Sequence, residues 1–325
     1  MLKLWKNKLI IFPRVLIFPF WNFFFYYIKS KKFITGYEYG GGVGKSDRDI
    51  DKLLHINKII FRLNNKEIAF GLNVLKSMNV DHNKVILLYN RDSLFLQKNF
   101  SFDSSYHDFR NSNIENYILA AEEITKRGYY VIRAGRDVEK KIITKNKKII
   151  NYADSKFQSD FMDIFLHYIC KFVISNGQGL DSLAKIFKKP ILFVNYLPLA
   201  SITTFDYKSM IIIKKFFHKD NNCYIPISKI FEMGIADAYD TKLYQEKNIK
   251  IIENSEDEIR YAAIEMFEYI IKNKRLEFTD NQKKFWDIYY EGLINNNLDI
   301  HHPNKKEVTI RLSEDFLNKN KYLLN

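Results

Sequence analysis

Cysteine is scarce in this chain, and its scarcity excludes a fold that depends on disulfide bonds. Only Cys170 and Cys223 occur among the 325 residues, whereas a disulfide framework requires several pairs. Cys170 begins an apolar run and is expected to be a buried thiol, and a reducing cytoplasm suits both cysteines. No pair of cysteine or histidine residues has the spacing of a metal site, and no nucleophile elbow is present. We therefore expect neither a bound metal nor a cofactor.

The composition excludes intrinsic disorder as the default state of the chain. Hydrophobic residues make up 46% and charged residues 27%, which is ordinary for a globular protein with a buried core. The length suits two domains, or one large domain with extensions. The net charge of +13 suits a nucleic acid, an acidic membrane or a phosphorylated substrate, or else reflects a lysine-rich solvated surface. The basic residues are scattered in short runs such as residues 145–148, so nucleic acid is not a predicted partner.

The N-terminal segment is strongly apolar and aromatic over residues 9–28, close to the roughly 20 residues that span a bilayer. An internal arginine and two prolines argue against spanning, and no small-residue cleavage site follows. Residues 1–35 are predicted to associate with the membrane interface or to dock against protein, and residues 36–58 to form a flexible loop. Within that loop, residues 40–46 differ from a phosphate-binding P-loop, because Tyr39 stands where glycine is required. These features predict a cytoplasmic protein, peripheral on the inner face of the cytoplasmic membrane.

From residue 59 onward, helix-like and strand-like patterns alternate along the chain. The predicted strands are 85–89, 129–132, 149–150, 172–175, 191–194 and 249–252, and the predicted helices are 66–78, 113–127, 161–169, 180–187, 281–293 and one from the capping box at 255–258 to about 272. This order predicts a Rossmann-like α/β fold, in which helices cover both faces of a parallel sheet. We expect this domain to span residues 59–275, followed by a helical C-terminal region at 276–325.

Polar groups follow three of the predicted strands at the point where each strand ends. Residues 91–92 follow the first strand, residues 133–135 the second, and residues 176–179 a later one. Ligands of parallel sheets bind outside the carboxyl ends of the strands. We therefore expect all three groups at the same edge of the sheet.

Two of these groups have the composition of phosphate sites. In Asn176-Gly177-Gln178-Gly179-Leu180, glycines permit close approach of a ligand, and the following helix presents its N–H groups to a diphosphate. The alternative is a tight turn without a ligand. Arg133-Ala134-Gly135 places a guanidinium at a strand end, where it binds phosphate or carboxylate, or is simply an exposed arginine before a turn.

The loop Tyr106-His107-Asp108-Phe109-Arg110-Asn111 combines an imidazole, a carboxylate, a guanidinium and an amide. His107 is a candidate general base or a hydrogen-bond partner for sugar hydroxyls. Asn111 is alternatively part of a helix N-cap. A loop of this polarity is also compatible with an ordinary solvent-exposed segment.

Several of these pieces together resemble a bacterial family of glycosyltransferases. The resemblance is carried by VILLYNRD at 85–92, YHDFRN at 106–111 and GYYVIRAG at 128–135, and it continues through 149–154, 159–166, 177–180 and 189–195. Order and spacing match together from about Phe61 to Pro198. The family implies a GT-B-like fold, of which this region is the donor-binding half, and a role in lipopolysaccharide or capsule assembly.

The resemblance also implies roles for individual residues. It implies that Arg133, Gly135, Gly177 and Gly179 line the donor phosphates, that Arg91, Asp92, His107, Arg110 and Asn111 face the interdomain cleft, and that Asp160 and Asp163 stand at a helix start. Together with the strand-end motifs, the predicted donor-binding residues are Arg91, Arg110, Asn111, Arg133, Gly135, Asn176, Gly177, Gln178, Gly179 and Leu180. The chain departs from the expected pattern at Asn151, where aspartate is expected, and at Gln178, where serine is expected.

The predicted activity is transfer of a sugar from a nucleotide sugar to a surface glycan or a lipid-linked acceptor. His107, or failing that Asp92, is expected to deprotonate the acceptor hydroxyl. About 60 residues precede the match, fewer than a full acceptor domain requires. The alternative is therefore a truncated or non-catalytic subunit that binds a partner glycosyltransferase.

Overall fold

The computed structural model describes residues 61–99, 101, 103–204, 206, 208–274, 277–298 and 308–325. The predicted N-terminal segment at 1–35 and the predicted loop at 36–58 lie outside these residues. Within the described ranges, no helix has both the length and the apolar character required to cross a membrane.

The described residues form ten strands, most of them short. They are β1 (Val85–Leu88), β2 (Tyr130–Arg133), β3 (Ile149–Ile150), β4 (Val173–Ser175), β5 (Ile191–Tyr196), β6 (Met210–Ile213), β7 (Lys215–His218), β8 (Cys223–Tyr224), β9 (Ile249–Ile252) and β10 (Arg311–Leu312).

Ten α-helices lie before, between and after the strands in the described ranges. They are α1 (Asn65–Ser77), α2 (Leu94–Asn99), α3 (Ile118–Lys126), α4 (Asp160–Ile169), α5 (Asp181–Ile186), α6 (Ile227–Glu232), α7 (Thr241–Glu246), α8 (Glu256–Ile270), α9 (Asp280–Asn295) and α10 (Glu314–Lys319).

Seven strands form one parallel sheet in the order β3-β2-β1-β4-β5-β6-β10. Helices flank this sheet, which confirms the predicted Rossmann-like α/β fold. The chain first builds outward from β1 to β3 and then returns to β4 on the other side of β1. Doubly wound sheets bind ligands at such a reversal of strand order. The crevice between the carboxyl ends of β1 and β4 is therefore the expected ligand position.

The sequence explains why these segments become central strands. All four residues of β1 are buried, as are all six of β5. Continuous apolar runs of this kind are typical of parallel strands that are covered on both faces. Cys170, just before β4, is buried as predicted, and burial raises the pKa of its thiol to about 12.

Helix starts follow local capping chemistry. The predicted capping box at the start of α8 is confirmed, because Ser255 accepts from the Glu258 amide while the Glu258 carboxylate accepts from the Ser255 amide. Asn64 and Glu67 form the same reciprocal arrangement at α1. Each such cap contributes about 1 kcal/mol.

Three features differ from the sequence-based prediction. The predicted helix at 113–127 begins with a 3₁₀ turn at Ile114–Tyr117 and becomes α-helical only at Ile118. The C-terminal region, predicted to be helical, also contributes β10 to the edge of the main sheet. The predicted strand at 249–252 is present as β9, but it belongs to a separate antiparallel sheet of order β8-β7-β9.

Candidate functional site

The three polar groups predicted to share one sheet edge do so. Strand β1 pairs in parallel with β2 on one side and with β4 on the other. Arg133 ends β2 and Ser175 ends β4, so two strand spacings, roughly 10 Å, separate these two positions. The groups at 91–92, 133–135 and 176–179 therefore surround the reversal of strand order.

Asn176 joins these groups by hydrogen bonds across the crevice. Its side-chain oxygen accepts from the Arg91 amide at 2.8 Å, and its side-chain nitrogen donates to the Arg110 carbonyl at 2.9 Å. The Arg110 guanidinium in turn donates to the Gly177 carbonyl. The loop at 105–112, part of which forms a 3₁₀ helix, consequently lies over the crevice between β1 and β4.

The glycine-rich loop has the backbone conformation that glycine permits, but two of its amides are already bonded. Gly177 has φ +78°, and a Cβ there would approach the Tyr196 ring to 3.0 Å. Its amide donates to Ser175 Oγ, and the Gln178 amide donates to Asp181 Oδ2 at 2.7 Å. Gly179 differs, because a Cβ there would meet no atom within 4 Å among the described residues. Fewer backbone amides are therefore available to an anion in this loop than its sequence predicts.

A buried carboxylate holds the start of α5, and sequence analysis did not identify it. Asp181 accepts from Tyr89 Oη at 2.9 Å as well as from the Gln178 amide. Burial raises the pKa of both Asp181 and Tyr89. Since Tyr89 directly follows β1, this hydrogen bond ties the glycine-rich loop to the central strand. Leu180 is half-buried in the same turn.

Two arginines carry mutually repelling charges above the crevice. Burial lowers the pKa of Arg91, and the neighbouring charge of Arg110 lowers it further. The Nε atoms of Arg91 and Arg110 and the side-chain nitrogen of Gln178 are buried, with no hydrogen-bond partner in the described part of the chain. Unpaired buried donors are rare in folded proteins. An anion between the two guanidiniums would satisfy these donors and cancel the repulsion.

Arg133 lies deeper than its sequence position predicts. It is 1% exposed, and its Nη1 donates to the Ala134 carbonyl at 2.7 Å. Its Nη2 lies 4.0 Å from Asp92 Oδ2, and burial lowers the pKa of Arg133 to about 10. Gly135 follows with φ +124°. Because Arg133 is buried, direct contact with a bound anion would require movement of the segments that cover it.

Asp92 organises the loops around the site. Its Oδ1 accepts from the Leu94 amide at 3.2 Å and its Oδ2 from the Glu139 amide at 3.1 Å. Both oxygens therefore hold backbone groups, one at the start of α2 and the other after β2. A carboxylate occupied in this way is better suited to positioning than to proton transfer, which favours His107 of the two predicted bases.

His107 has the protonation state that a general base requires. Burial lowers the pKa of its imidazole, and the charges of Arg110 and Arg91 lower it further. The ring lies 3.9 Å from the Tyr106 ring, centroid to centroid, and its Nδ1 has no hydrogen-bond partner among the residues that the structure describes. The imidazole is therefore neutral near pH 7 and able to accept a proton.

A cavity of about 390 Å³ adjoins the crevice. Its lining includes four carboxylates, from Asp92, Asp108, Glu139 and Glu253, and the amide-bearing Asn111. Arg110 and Gly177 are not part of that lining, so the cavity lies beside the arginine pair. Its acidic lining disfavours phosphate and suits hydroxyl groups, which carboxylates bind as acceptors.

Lys214 lines the cavity, and it lies in a part of the chain for which the sequence predicted no helix or strand. It follows β6, is 3% exposed, and donates from Nζ to the Asn111 carbonyl. Burial lowers the pKa of Lys214 to about 8, while the charge of Glu253 opposes that effect. The apolar run Met210–Ile213, ending in lysine, is the sequence pattern that would have identified it.

The structure also shows the surroundings of three further positions that the sequence analysis singled out. Asp160, at the start of α4, pairs with Arg136, and burial raises the pKa of Asp163 one turn later. The amide of Asn151 donates to the Ile142 carbonyl and accepts from the Ile142 amide, both at 2.9 Å. Aspartate would accept the second bond but has no hydrogen to donate for the first.

Comparisons with known proteins identify no relative of this chain. No protein-family model, no curated protein and no solved structure matches the chain. In the described residues, no group of three or more histidine, cysteine, aspartate or glutamate side chains is arranged to hold a metal ion. The functional argument therefore rests on the geometry at the carboxyl edge of the sheet.

Proposed function

We propose that this chain is a GT-B-like glycosyltransferase that moves a sugar from a nucleotide-sugar donor to a surface glycan or a lipid-linked acceptor. The described α/β domain would be its donor-binding half, working at the inner face of the cytoplasmic membrane. One observation carries the proposal. Partly buried guanidiniums with unpaired donors repel each other at the reversal of strand order, where sheets of this topology bind nucleotides.

The diphosphate of the donor suits the arginine pair. Arg91 and Arg110 both have a buried Nε without a partner in the described structure, and arginine binds phosphate oxygens through charge-assisted hydrogen bonds. A charge-assisted hydrogen bond contributes about 1.5–3 kcal/mol. Arg133 would add positive potential from beneath without direct contact.

The transfer step uses groups on both sides of the 105–112 loop. An acceptor hydroxyl would attack the anomeric carbon of the donor sugar, and the bond from that carbon to the diphosphate oxygen would break. His107 would take the hydroxyl proton, and the nucleoside diphosphate would leave with its additional negative charge stabilised by the arginines. The adjoining cavity, with its carboxylates and Asn111, would accommodate hydroxyl-rich parts of the donor or acceptor.

A second candidate is a non-catalytic glycosyltransferase-like subunit that binds a partner glycosyltransferase. The closed crevice favours it, because Asn176 and Arg110 hold the 105–112 loop over the expected ligand position. The amides of Gly177 and Gln178 are also bonded within the protein. In this alternative the fold is retained for assembly, and the partner supplies donor binding.

The test is an assay of the purified full-length protein against a panel of nucleotide sugars. Release of nucleoside diphosphate is measured with and without a lipid-linked acceptor, and thermal unfolding is followed with each donor. Arg110→Ala should weaken donor binding about 10- to 100-fold, the equivalent of one charge-assisted hydrogen bond. Arg127→Ala is the matched control, because Arg127 precedes β2 at the opposite edge of the sheet and bonds to Glu123.

The outcomes separate the two candidates. Turnover that is lost in the Arg110 variant and retained in the Arg127 variant supports the enzyme. A protein that binds no donor across the panel, yet co-purifies with a glycosyltransferase, supports the subunit. Equal turnover in both variants would contradict the role of the arginine pair.

A further inference from the structure

The segment between β2 and β3 presents a basic surface with an isoleucine at its centre. Residues 140–148, called here the 140–148 loop, contain five lysines and no acidic residue. Ile143 is 88% exposed, the largest exposed fraction among the large hydrophobic residues in the described ranges. Lys141, Lys145 and Lys147 are also exposed, so an aliphatic side chain and several cations are presented to solvent by the same short segment.

Exposure alternates along the 140–148 loop. Lys141, Ile143, Lys145 and Lys147 are exposed, whereas Ile142 between them is buried and the even-numbered positions that follow are half-buried. The backbone bends at Lys145 and turns at Lys147 and Lys148, where the Ile149 amide donates to the Asn146 carbonyl at 3.0 Å. The exposed Ile143 is therefore flanked along the chain by the exposed Lys141 and Lys145, and Lys147 is exposed in the turn that follows.

The inward-facing residues hold this arrangement rigidly. Asn151 bonds to both backbone groups of Ile142. Thr144 Oγ1 and Asn146 Nδ2 donate to the two carboxylate oxygens of Glu122 on α3, at 2.8 and 2.7 Å. The outward face is thus preorganised, and binding through it requires little ordering of the chain.

Two of the outward lysines are available to an anionic partner. Lys141 lies 4.0 Å from an Asp154 carboxylate oxygen. Lys145 and Lys147 have no carboxylate within ion-pair distance in the part of the chain that the structure describes. Their positive charge therefore faces solvent together with the Ile143 side chain.

We propose that the 140–148 loop docks onto an anionic lipid membrane, with Ile143 in the headgroup–acyl boundary and Lys145 and Lys147 against lipid phosphates. Lysines near a negatively charged leaflet contribute binding energy individually, and an apolar side chain inserted beside them adds burial. A single-stranded nucleic acid would bind the lysines and stack its bases on aromatic side chains, and residues 140–148 contain no aromatic residue. The combination of charge and exposed aliphatic surface therefore favours lipid.

The test is co-sedimentation of the full-length chain with vesicles. Vesicles of phosphatidylcholine alone are compared with vesicles that also contain phosphatidylglycerol. Lys145→Ser/Lys147→Ser should lower partitioning onto anionic vesicles about 25-fold, since each lysine contributes about fivefold. Ile143→Ser should lower it about tenfold on both the wild-type and the double-variant background.

Matched controls come from exposed residues elsewhere in the chain. Ile294, which is 59% exposed on α9, is changed to serine, and the exposed Lys247 and Lys272 are changed together to serine. These variants should partition onto vesicles as the wild type does. Any affinity that residues 1–35 add would multiply the partition coefficient of every variant equally, so the ratios between variants would not change. Thermal unfolding confirms that each variant is folded.

Two results would overturn the proposal. Loop and control variants that partition equally would exclude the 140–148 loop as a membrane contact. Binding that depends on the lysines but not on Ile143, and that a single-stranded RNA competes away, would assign the loop to a nucleic acid instead. Neither result bears on donor binding, which depends on residues at the carboxyl edge of the sheet.

Discussion

Replacement of Lys214 by methionine should make the protein more stable at neutral pH. Lys214 is 3% exposed and donates to the Asn111 carbonyl. Burial lowers its pKa from the ordinary 10.5 to about 8, and this difference of about 2.5 corresponds to about 3 kcal/mol of folding free energy. Loss of the hydrogen bond to Asn111 offsets about 1 kcal/mol. The net gain expected for Lys214→Met at pH 7 is therefore about 2 kcal/mol.

The sign of the effect follows from proton binding in the two states. Because the pKa of Lys214 is lower in the folded protein, the unfolded chain binds the proton more tightly between about pH 8 and 10.5. Wild-type stability should therefore rise with pH through this window. The full penalty is present below pH 8 and vanishes above 10.5. The advantage of Lys214→Met should shrink accordingly as the pH rises.

Urea unfolding at a series of pH values measures this effect, and the neighbouring lysine provides the control. Lys215 is also largely buried, but its Nζ lies 2.8 and 2.9 Å from the two carboxylate oxygens of Glu258. Lys215→Met should therefore destabilise the protein, because it leaves the buried Glu258 carboxylate without the Lys215 cation. A Lys214→Met variant less stable than wild type at pH 7, or stability curves that run parallel with pH, would refute the reasoning. A buried charge such as that of Lys214, which lowers the stability of the protein and borders a cavity, is typical of a functional position.

Three further predictions concern single side chains. The transfer rate of the wild type should fall only below about pH 6.5, where the lowered pKa of His107 allows protonation; His107→Gln should remove this acid limb, and a pH–rate profile measures it. Burial lowers the pKa of His167 to about 4, so the free energy of unfolding should fall by about 3 kcal/mol between pH 6.5 and pH 4, as the unfolded chain binds a proton there. Urea unfolding of His167→Gln should show a smaller decrease over this range, and an equal decrease would contradict this. Asn151→Asp should lower the free energy of unfolding by about 1–3 kcal/mol, since the buried Ile142 carbonyl loses its donor. The same substitution at the exposed Asn221 is the control, and equal melting temperatures of the two variants would contradict the assignment.

The fold was predictable where local chemistry determines it. The run Val85–Leu88 predicts a buried strand because four consecutive apolar residues have no polar face to expose. The start of α8 is predicted by its capping box, which satisfies backbone donors within four residues. Strand β10 has two residues and a polar side chain, and only its pairing with β6 makes it a strand. No local pattern contains that pairing.

The candidate site was predictable to the same extent. The rule that ligands bind at strand ends located Arg91, Arg133 and Asn176 at one edge, because parallel pairing places all carboxyl ends together. It did not reveal that Asn176 binds the 105–112 loop over the crevice, since that contact joins residues 66 positions apart. It also missed Lys214, because the sequence predicted no strand between residues 194 and 249, where β6 precedes this lysine. Long-range hydrogen bonds decide which strand-end residues face a ligand and which hold the loops.

Calorimetric titration with a nucleoside diphosphate tests the arginine pair most directly. The nucleoside without phosphates serves as a comparison ligand, and Arg91→Ala, Arg110→Ala and Arg127→Ala are titrated beside the wild type. We predict binding of the diphosphate but not of the nucleoside, with affinity about 10- to 100-fold weaker in the first two variants and unchanged in the third. Equal affinity of the three variants, or equal affinity of the two ligands, would contradict an anion site between Arg91 and Arg110.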